Sequence, residues 1–367
     1  MGRLPTPCIS LLARHVESGR LFLQRPAMKF NLPRIQSTNH LANLLELGAE
    51  ELLWLSNPIK DRTDPELWSK HYRCRWIRKR SSGWRLIESP KSKLRHVQGI
   101  LLQHIFNLAP PHPLAFGFRK NYSVVDFVKP HIGKEICWRF DIQDFFTSVT
   151  IGRVFGMLRK FGYPRDVAKV IALLTTVQTS PRVLSVEHPN ASFTVQSPRR
   201  LKRHLPQGAP TSPAIANLCS FRLDSRLSGV ARKVGGVCYS RYADDILFSG
   251  DYDLARQSKR LAPHIGAIAI EEGFEINHRK TRLARSSQRQ IAAGILLNEK
   301  MNTTRESFDQ LKATLYNCVR FGPASQNRER HTAFQQHLDG KVQWVESLNP
   351  KRGRKLRELF ERIDWVA

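Results

Sequence analysis

Three aspartates carry the chemistry that this sequence most readily suggests. Tyr242-Ala243-Asp244-Asp245 places two adjacent acids between the apolar runs Val237-Cys238-Tyr239 and Ile246-Leu247-Phe248. Run, turn and run predict a β-hairpin with carboxylates at an exposed tip. Adjacent like charges repel, so a bound cation is a natural reason for the pair, although Asp in turns also simply caps backbone. Upstream, Glu135-Ile136-Cys137-Trp138-Arg139-Phe140 reads as a strand ending in Asp141. Two-metal phosphoryl or nucleotidyl transfer needs carboxylates from separate strands, converging on ions ~3.5–4 Å apart, and Asp141 with Asp244 and Asp245 would supply them. Locally, Asp141 serves equally well as the N-cap of a following helix.

Between the acidic elements lies Leu205-Pro206-Gln207-Gly208-Ala209-Pro210-Thr211-Ser212-Pro213, followed by Ala214-Ile215-Ala216-Asn217. Gly208 and its small neighbours allow a backbone to approach a ligand closely, and Pro213 suits the start of a helix running through Phe221. A Pro-rich loop before a core helix is the plainer reading. The order of acidic strand end, this loop and then YADD is far more specific than any one part.

In that order the chain resembles the palm of reverse transcriptases. Asp141 falls in the pattern of motif A, LPQGAPTSP in motif B and YADD in motif C; His278-Arg279-Lys280-Thr281 looks like motif D, and 293–298 like the primer-grip hairpin. The resemblance covers roughly residues 70–300, and Trp344-Val345-Glu346-Ser347-Leu348-Asn349-Pro350 looks most like the bacterial retron group. It implies an α+β right-hand polymerase with fingers, a βαββ palm bearing the YADD hairpin, and a helical thumb. Expected boundaries are an N-terminal helical extension at 1–69, fingers at 70–134 and 155–204, palm at 135–154 and 205–300, and thumb at 301–367.

The same resemblance implies site roles. Asp141, Ile142, Asp244 and Asp245 would hold two Mg²⁺ ions, with Mn²⁺ able to substitute, and Lys280 would be a proton donor to pyrophosphate. Phe146 matches the bulky residue that excludes a ribose 2′-OH, while Gln207 and Gly208 would shape the nascent base pair. Arg78 and Arg85 match the fingers cations that close over the incoming triphosphate, Arg85 the better of the two. A retron enzyme would copy part of its own structured noncoding RNA from deoxynucleoside triphosphates, priming from an internal guanosine 2′-OH. It would leave branched RNA–DNA and act in phage defence with a separate effector protein. The chain departs from the group at Ala292-Ala293-Gly294, where Val-Thr-Gly is common, and offers only 190–194 in place of Asn-Ala-x-x-His.

Composition agrees independently. Lys+Arg 59 against Asp+Glu 31 leaves +28, and a pI near 10.5 calls for a polyanionic partner, most simply nucleic acid. No run approaches the ~18 apolar residues of a spanning helix. From Lys70 to Arg95, ten Lys and Arg face a single acid, Glu88, and alternate with Tyr72, Trp76, Ile77, Trp84 and Ile87 around a Ser82-Gly83 turn. That pattern suits a strand pair holding phosphates on one face and packing on the other, beyond the usual solvated charge run. Arg199, Arg200, Lys202 and Arg203 precede motif B and are expected on template phosphates, a floppy basic loop being the plainer reading.

Flanking segments complete the outline. Leu41, Leu44 and Leu45, then Gly48, then Leu52, Leu53 and Leu55 predict two helices. With Glu50 and Glu51 on the second, they suit a structural pair better than a DNA-reading helix-turn-helix. At the C-terminus, a Thr303-x-x-Glu306 capping box, a Gly322-Pro323 stop and an Asn349-Pro350 start frame three helices, each with one apolar stripe. Five cations in 351–357, including Arg354, Lys355 and Arg357, lie at the third helix start, where phosphate is favoured. Six scattered cysteines without a C-x-x-C pair argue against zinc and, with no signal peptide, predict reduced thiols in a bacterial cytoplasm. The span after the thumb leaves no room for a ribonuclease H domain, so RNA removal is expected from a host enzyme. Two other readings stay open: a related reverse transcriptase with protein-primed or untemplated synthesis, and a catalytically silent RNA-binding scaffold.

Overall fold

The computed structural model describes residues 31–56, 70–79, 83–185 and 198–365. Ser82 of the expected turn, segment 190–194 and most of the N-terminal extension's flanks lie outside them. Helix α1 (Thr38–Leu44) starts at Ser37, whose hydroxyl accepts from His40 N at 3.1 Å, and α2 (Ala49–Ser56) follows the Gly48 break. Their apolar stripe, Leu41, Leu45, Leu52 and Leu55, is buried in the main core as the spacing predicts. Strands β1 (Tyr72–Arg78) and β2 (Trp84–Pro90) form an antiparallel hairpin, and α3 (Ser92–His104) runs on from it.

Helix α4 (Val124–Val128) opens on a Ser123–Asp126 capping box and leads to β3 (Ile136–Gln143). Helices α5 (Ile151–Lys160), α6 (Arg165–Thr175) and the short α7 (Pro181–Leu184) and α8 (Pro198–Leu201) follow. The helix expected to run through Phe221 is broken at Ser220 into α9 (Ser212–Cys219) and α10 (Phe221–Val234). Then come β4 (Cys238–Tyr242), β5 (Asp245–Gly250), α11 (Tyr252–Glu271), β6 (Glu275–Ile276) and β7 (Arg282–Arg285), and the small hairpin β8 (Ile291–Ala292) and β9 (Ile295–Leu296). Ala293 and Gly294 turn that hairpin with φ of 47° and 80°, the paired positive values of a tight two-residue connection.

The central sheet is antiparallel in the order β4-β5-β3-β6, with β7 also on β3. Period-two alternation gives it two faces, and both are covered. Trp138, Phe140, Tyr239, Ile246 and Phe248 join the main core with the helices. Cys137 and Leu247, on the opposite face, join a second core with Phe127, Val128, Ala292, Ile295, Leu297 and Leu348. The catalytic candidates Asp141 and Asp245 belong to this second face, at the end where its apolar cover stops.

Helices α12 (Arg305–Phe321), α13 (Phe334–Leu348) and α14 (Pro350–Glu361) bury Leu311, Leu315, Leu338, Val342, Val345, Leu356 and Phe360 together. The N-cap of α12 is Thr304, whose Oγ1 accepts from Ser307 N at 3.2 Å, one residue later than the Thr303–Glu306 box predicts. Gly353 is what lets α14 cross α13: a methyl there would overlap the backbone and side chain of Glu346. Among the described residues no helix is long and apolar enough to cross a membrane.

Candidate active site

Strand register brings the acids together. Asp141 on β3 pairs directly with Asp245 on β5, and Ala243-Asp244 makes the two-residue connection from β4. Ala243 has φ 55°, the left-handed region that favours glycine, so neighbouring contacts must hold it there. They do: Ile142 N donates to Asp244 O at 2.8 Å, and Arg241 Nη1 donates to Ala243 O at 2.9 Å. The tip is therefore docked and only partly open, not the exposed turn that the sequence suggests, because the loop bearing Gly117 packs against Ala243. Burial, then the charge of Asp141, push the Asp244 carboxyl upward against a pull from its own backbone amide. Burial and the adjacent Asp244 raise Asp245 to about 6. Both shifts are what buried, crowded carboxylates should show where nearby cations only partly offset them.

Internal cations partly answer that crowding. Lys280, in the turn between β6 and β7, donates to Asp141 Oδ1 at 3.0 Å and Oδ2 at 3.2 Å, while Asn277 N donates to Asp141 O at 2.7 Å. Arg139 Nε stands 3.9 Å from Asp245 Oδ1. With these partners, no three acid, His or Cys side chains among the described residues converge on one point as they stand. The donor set nevertheless suits a hard divalent ion: carboxylate oxygens from two strands, one of them already holding an ammonium.

The β1–β2 hairpin sorts its cations by face. Ile77 pairs with Arg85 and Arg75 with Ile87 on one side, while Arg78 pairs with Trp84 and Trp76 with Leu86 on the other. The first side looks onto the loop 206–210, because a Cβ on Gly208 would stand 3.0 Å from Ile87 Cγ2 and 3.1 Å from Ser89 Oγ. Gln207 O accepts from Glu88 N at 2.8 Å and ties that loop to β2. Arg85 lies on this side and its charge is felt by Asp244, whereas alternation puts Arg78 on the opposite face. Lys79, one residue on from Arg78, falls by the same alternation on the Arg85 side. Burial, then the nearby charges of Arg85 and Lys280, hold its ammonium below the usual value, opposed by Asp144.

Phe146 is half-buried beside Asp141's strand, with its ring 5.5 Å from Phe145 and 5.9 Å from Phe118. Phe118, at φ 61° and exposed, also lies 6.4 Å from Tyr242 of the hairpin. A rim of three rings thus borders the acids on one side.

Other expected contacts are turned inward. Arg203 donates to Thr176 O at 2.9 Å and Leu173 O at 3.2 Å, and Arg200 is buried 3.9 Å from Glu88, so neither presents a free cation to a template. Glu88 is fully enclosed; burial would raise it, but bonds from His204 at 3.2 Å and Thr179 at 2.7 Å keep it low. Arg199 bonds Ser148 and Glu275, both at 2.8 Å, which leaves Lys202 the exposed cation of the four. In the last helix, Arg357 bridges Asp339 at 2.6 Å and Glu346 at 2.9 Å, joining α14 to α13, while Arg354 and Lys355 are exposed. In each case a carboxylate, carbonyl or hydroxyl within the fold takes up the cation first.

Sequence patterning does not reveal Arg241, Asp224, Tyr239 and Asn217, which lie fully or almost fully buried behind the hairpin. Arg241 Nε and Nη2 meet Asp224 Oδ1 and Oδ2, each at 2.7 Å, and Tyr239 OH donates to Oδ1 at 2.7 Å. The only signal is an arginine and a tyrosine two apart on the strand side that should be wholly apolar.

Comparison with known proteins agrees with this geometry. The profile of the reverse transcriptase (RNA-dependent DNA polymerase) family matches residues 77–311. The retron Mx65 reverse transcriptase of Myxococcus xanthus is 38% identical over 288 residues, 78% of this chain and 64% of that enzyme. The chain thus spans a little under two thirds of that relative's length. The retron Mx162 reverse transcriptase of the same organism is 31% identical over 352 residues, 92% of this chain and 69% of the relative. The retron Ec86 reverse transcriptase of Escherichia coli is 28% identical over 281 residues, 76% and 77% of the two chains. With acids, loop and hairpin in the family's order and matches of this length, the chain belongs to the reverse transcriptase family, among its bacterial retron-type members.

Proposed function

We propose that the chain is an RNA-directed DNA polymerase shaped as a right hand, with fingers at 70–134 and 155–204, palm at 135–154 and 205–300, and thumb at 301–367. The observation that carries this reading is the direct pairing of Asp141 with Asp245, Asp244 beside them at the tip, and Arg85 and Lys280 close enough for their charges to act on Asp244. Asp141, the Ile142 main chain, Asp244 and Asp245 would hold two Mg²⁺, or Mn²⁺ in its place. When bound, such ions activate the attacking hydroxyl and neutralise the leaving pyrophosphate.

The chain's own residues do the rest. Arg85, whose charge reaches Asp244, and Lys79, whose ammonium feels Arg85 and Lys280, bind the triphosphate. Gly208, without a Cβ, lets the loop lie flat against β2 and, with Gln207, shapes the base pair above the acids. Phe146 closes the space a ribose 2′-OH would need. Lys280 moves from Asp141 toward the departing phosphate and gives up a proton there. Exposed Lys202, Arg354 and Lys355 hold nucleic-acid phosphates.

As a retron-type enzyme it would copy part of a structured noncoding RNA into single-stranded DNA covalently joined to that RNA, in antiphage defence with a separate effector. The retron reverse transcriptases among its relatives support the enzyme class on which this reading builds. The test is sequencing of nucleic acid co-purified with the wild-type chain and with Asp245→Asn. A branched RNA–DNA hybrid with the first, and RNA alone with the second, is expected; unextended RNA with both would sink the reading.

A further inference from the structure

We infer that a buried relay running Asp224–Arg241–Asn217–Gly117 positions the hairpin tip, making Arg241 and Asn217 positioning residues for the ions held there; this rests on the polymerase reading above. Arg241 is fully buried on the α10 side of the sheet, where a leucine would satisfy packing. Asp224 takes up Nε and Nη2, both at 2.7 Å. That pair alone would neutralise the charge. The remaining nitrogen, Nη1, is directed onto Ala243 O at 2.9 Å and Asn217 Oδ1 at 3.1 Å.

Asn217 turns its amide the other way, with Nδ2 donating to Gly117 O at 2.7 Å. Gly117 in turn lies against the tip so closely that a methyl there would stand 2.7 Å from Ala243 N. The loop bearing Gly117 is itself fixed to β4, Phe116 N donating to Arg241 O at 2.8 Å and Arg241 N to Leu114 O at 2.9 Å. The turn is thereby held at three points: Arg241 takes the Ala243 carbonyl, Ile142 N takes that of Asp244 at 2.8 Å, and Gly117 lies against the Ala243 amide. This is the support that a φ of 55° at Ala243 requires. Carboxylates that must meet ions and a reacting hydroxyl tolerate displacement of well under ~1 Å, so the relay acts on chemistry through geometry.

The test compares Asn217→Ala and Arg241→Lys with Gln98→Met, which removes buried hydrogen bonds to Tyr72 and Leu174 far from the tip. Lysine keeps a charge for Asp224 but lacks the planar fork that reaches Ala243 as well. Free Mn²⁺ is followed by electron paramagnetic resonance on the metal-free chains, alongside melting temperature and primer-extension kcat and KM. Asn217→Ala and Arg241→Lys should bind Mn²⁺ about tenfold or more weakly and lose kcat similarly, with KM for deoxynucleotide nearly unchanged. Gln98→Met should lower the melting temperature and leave Mn²⁺ affinity alone. If Asn217→Ala does not fold, Gly117→Ala strains the same contact from the loop side and should show the same loss. Wild-type Mn²⁺ affinity in a folded relay variant, or an equal loss in Gln98→Met, overturns the relay; no Mn²⁺ binding by the unaltered chain overturns the polymerase reading itself.

Discussion

Lys280 donates its ammonium to both oxygens of Asp141, at 3.0 and 3.2 Å, so the strand acid is already cation-bound within the chain. Lys280→Gln should therefore have two separable effects. Divalent-ion affinity rises a few-fold because a competitor is gone, while primer extension slows because the proposed proton donor is lost. The lysine is 54% exposed, so the stability change should stay below about 1 kcal/mol. Mn²⁺ titration and single-turnover extension check this, and no change in either would remove Lys280 from the site.

Asp245 makes stability depend on pH in an unusual direction. Its carboxyl is raised to about 6 in the folded chain, mainly by burial, so between the ordinary carboxylate value and 6 the folded state holds more protons than the unfolded state. Without metal, stability should thus fall as pH rises through that window. Asp245→Asn removes the effect and, as the side chain is 26% exposed, should stabilise the metal-free chain by about 1–2 kcal/mol at pH 7.5 and little at pH 4. The same variant should not extend a primer. Melting curves in chelator at the two pH values decide it; a variant less stable at pH 7.5 contradicts the assignment.

Phe146→Ala opens space between the Phe118 and Phe145 rings. Ribonucleotide incorporation should rise relative to deoxynucleotide with matched triphosphates. A discrimination ratio that does not move would make Phe146 a packing residue.

The last helix separates grip from scaffold. Arg354→Gln with Lys355→Gln should weaken RNA binding and flatten the slope of log K against log salt by roughly 0.7–0.9 per lost phosphate contact. Arg357→Gln breaks the bridge to Asp339 and Glu346 and should instead lower the melting temperature, with the slope unchanged. Salt-dependent binding curves for the two proteins distinguish these outcomes.

What could be read ahead of the structure was whatever depends on near neighbours in sequence. The YADD hairpin, Asp141 at a strand, the Gly322 stop and the Asn349 cap are local matters of turn chemistry and capping. Arg85 matched better than Arg78 in the sequence, but the physical reason was out of reach there, since it is which hairpin face looks onto Gly208. Arg203 and Arg357 read as free cations because their partners, Thr176 and Glu346, lie a helix or more away in the chain. The Arg241–Asp224 pair was invisible for the same reason: burial is a property of the fold, and a basic residue beside a catalytic hairpin looks like a nucleic-acid contact until its surroundings are known.

Leu348, the last residue of α13, leaves its own bundle and shares a core with Leu247 and Cys137, on the sheet face that carries Asp141 and Asp245. In mechanical terms the helical bundle is keyed into the sheet, not hung from it by a peptide. Levering the bundle outward must draw this side chain from an apolar seat worth ~1.5–3 kcal/mol, so a load borne by the bundle arrives as stress beneath the acids.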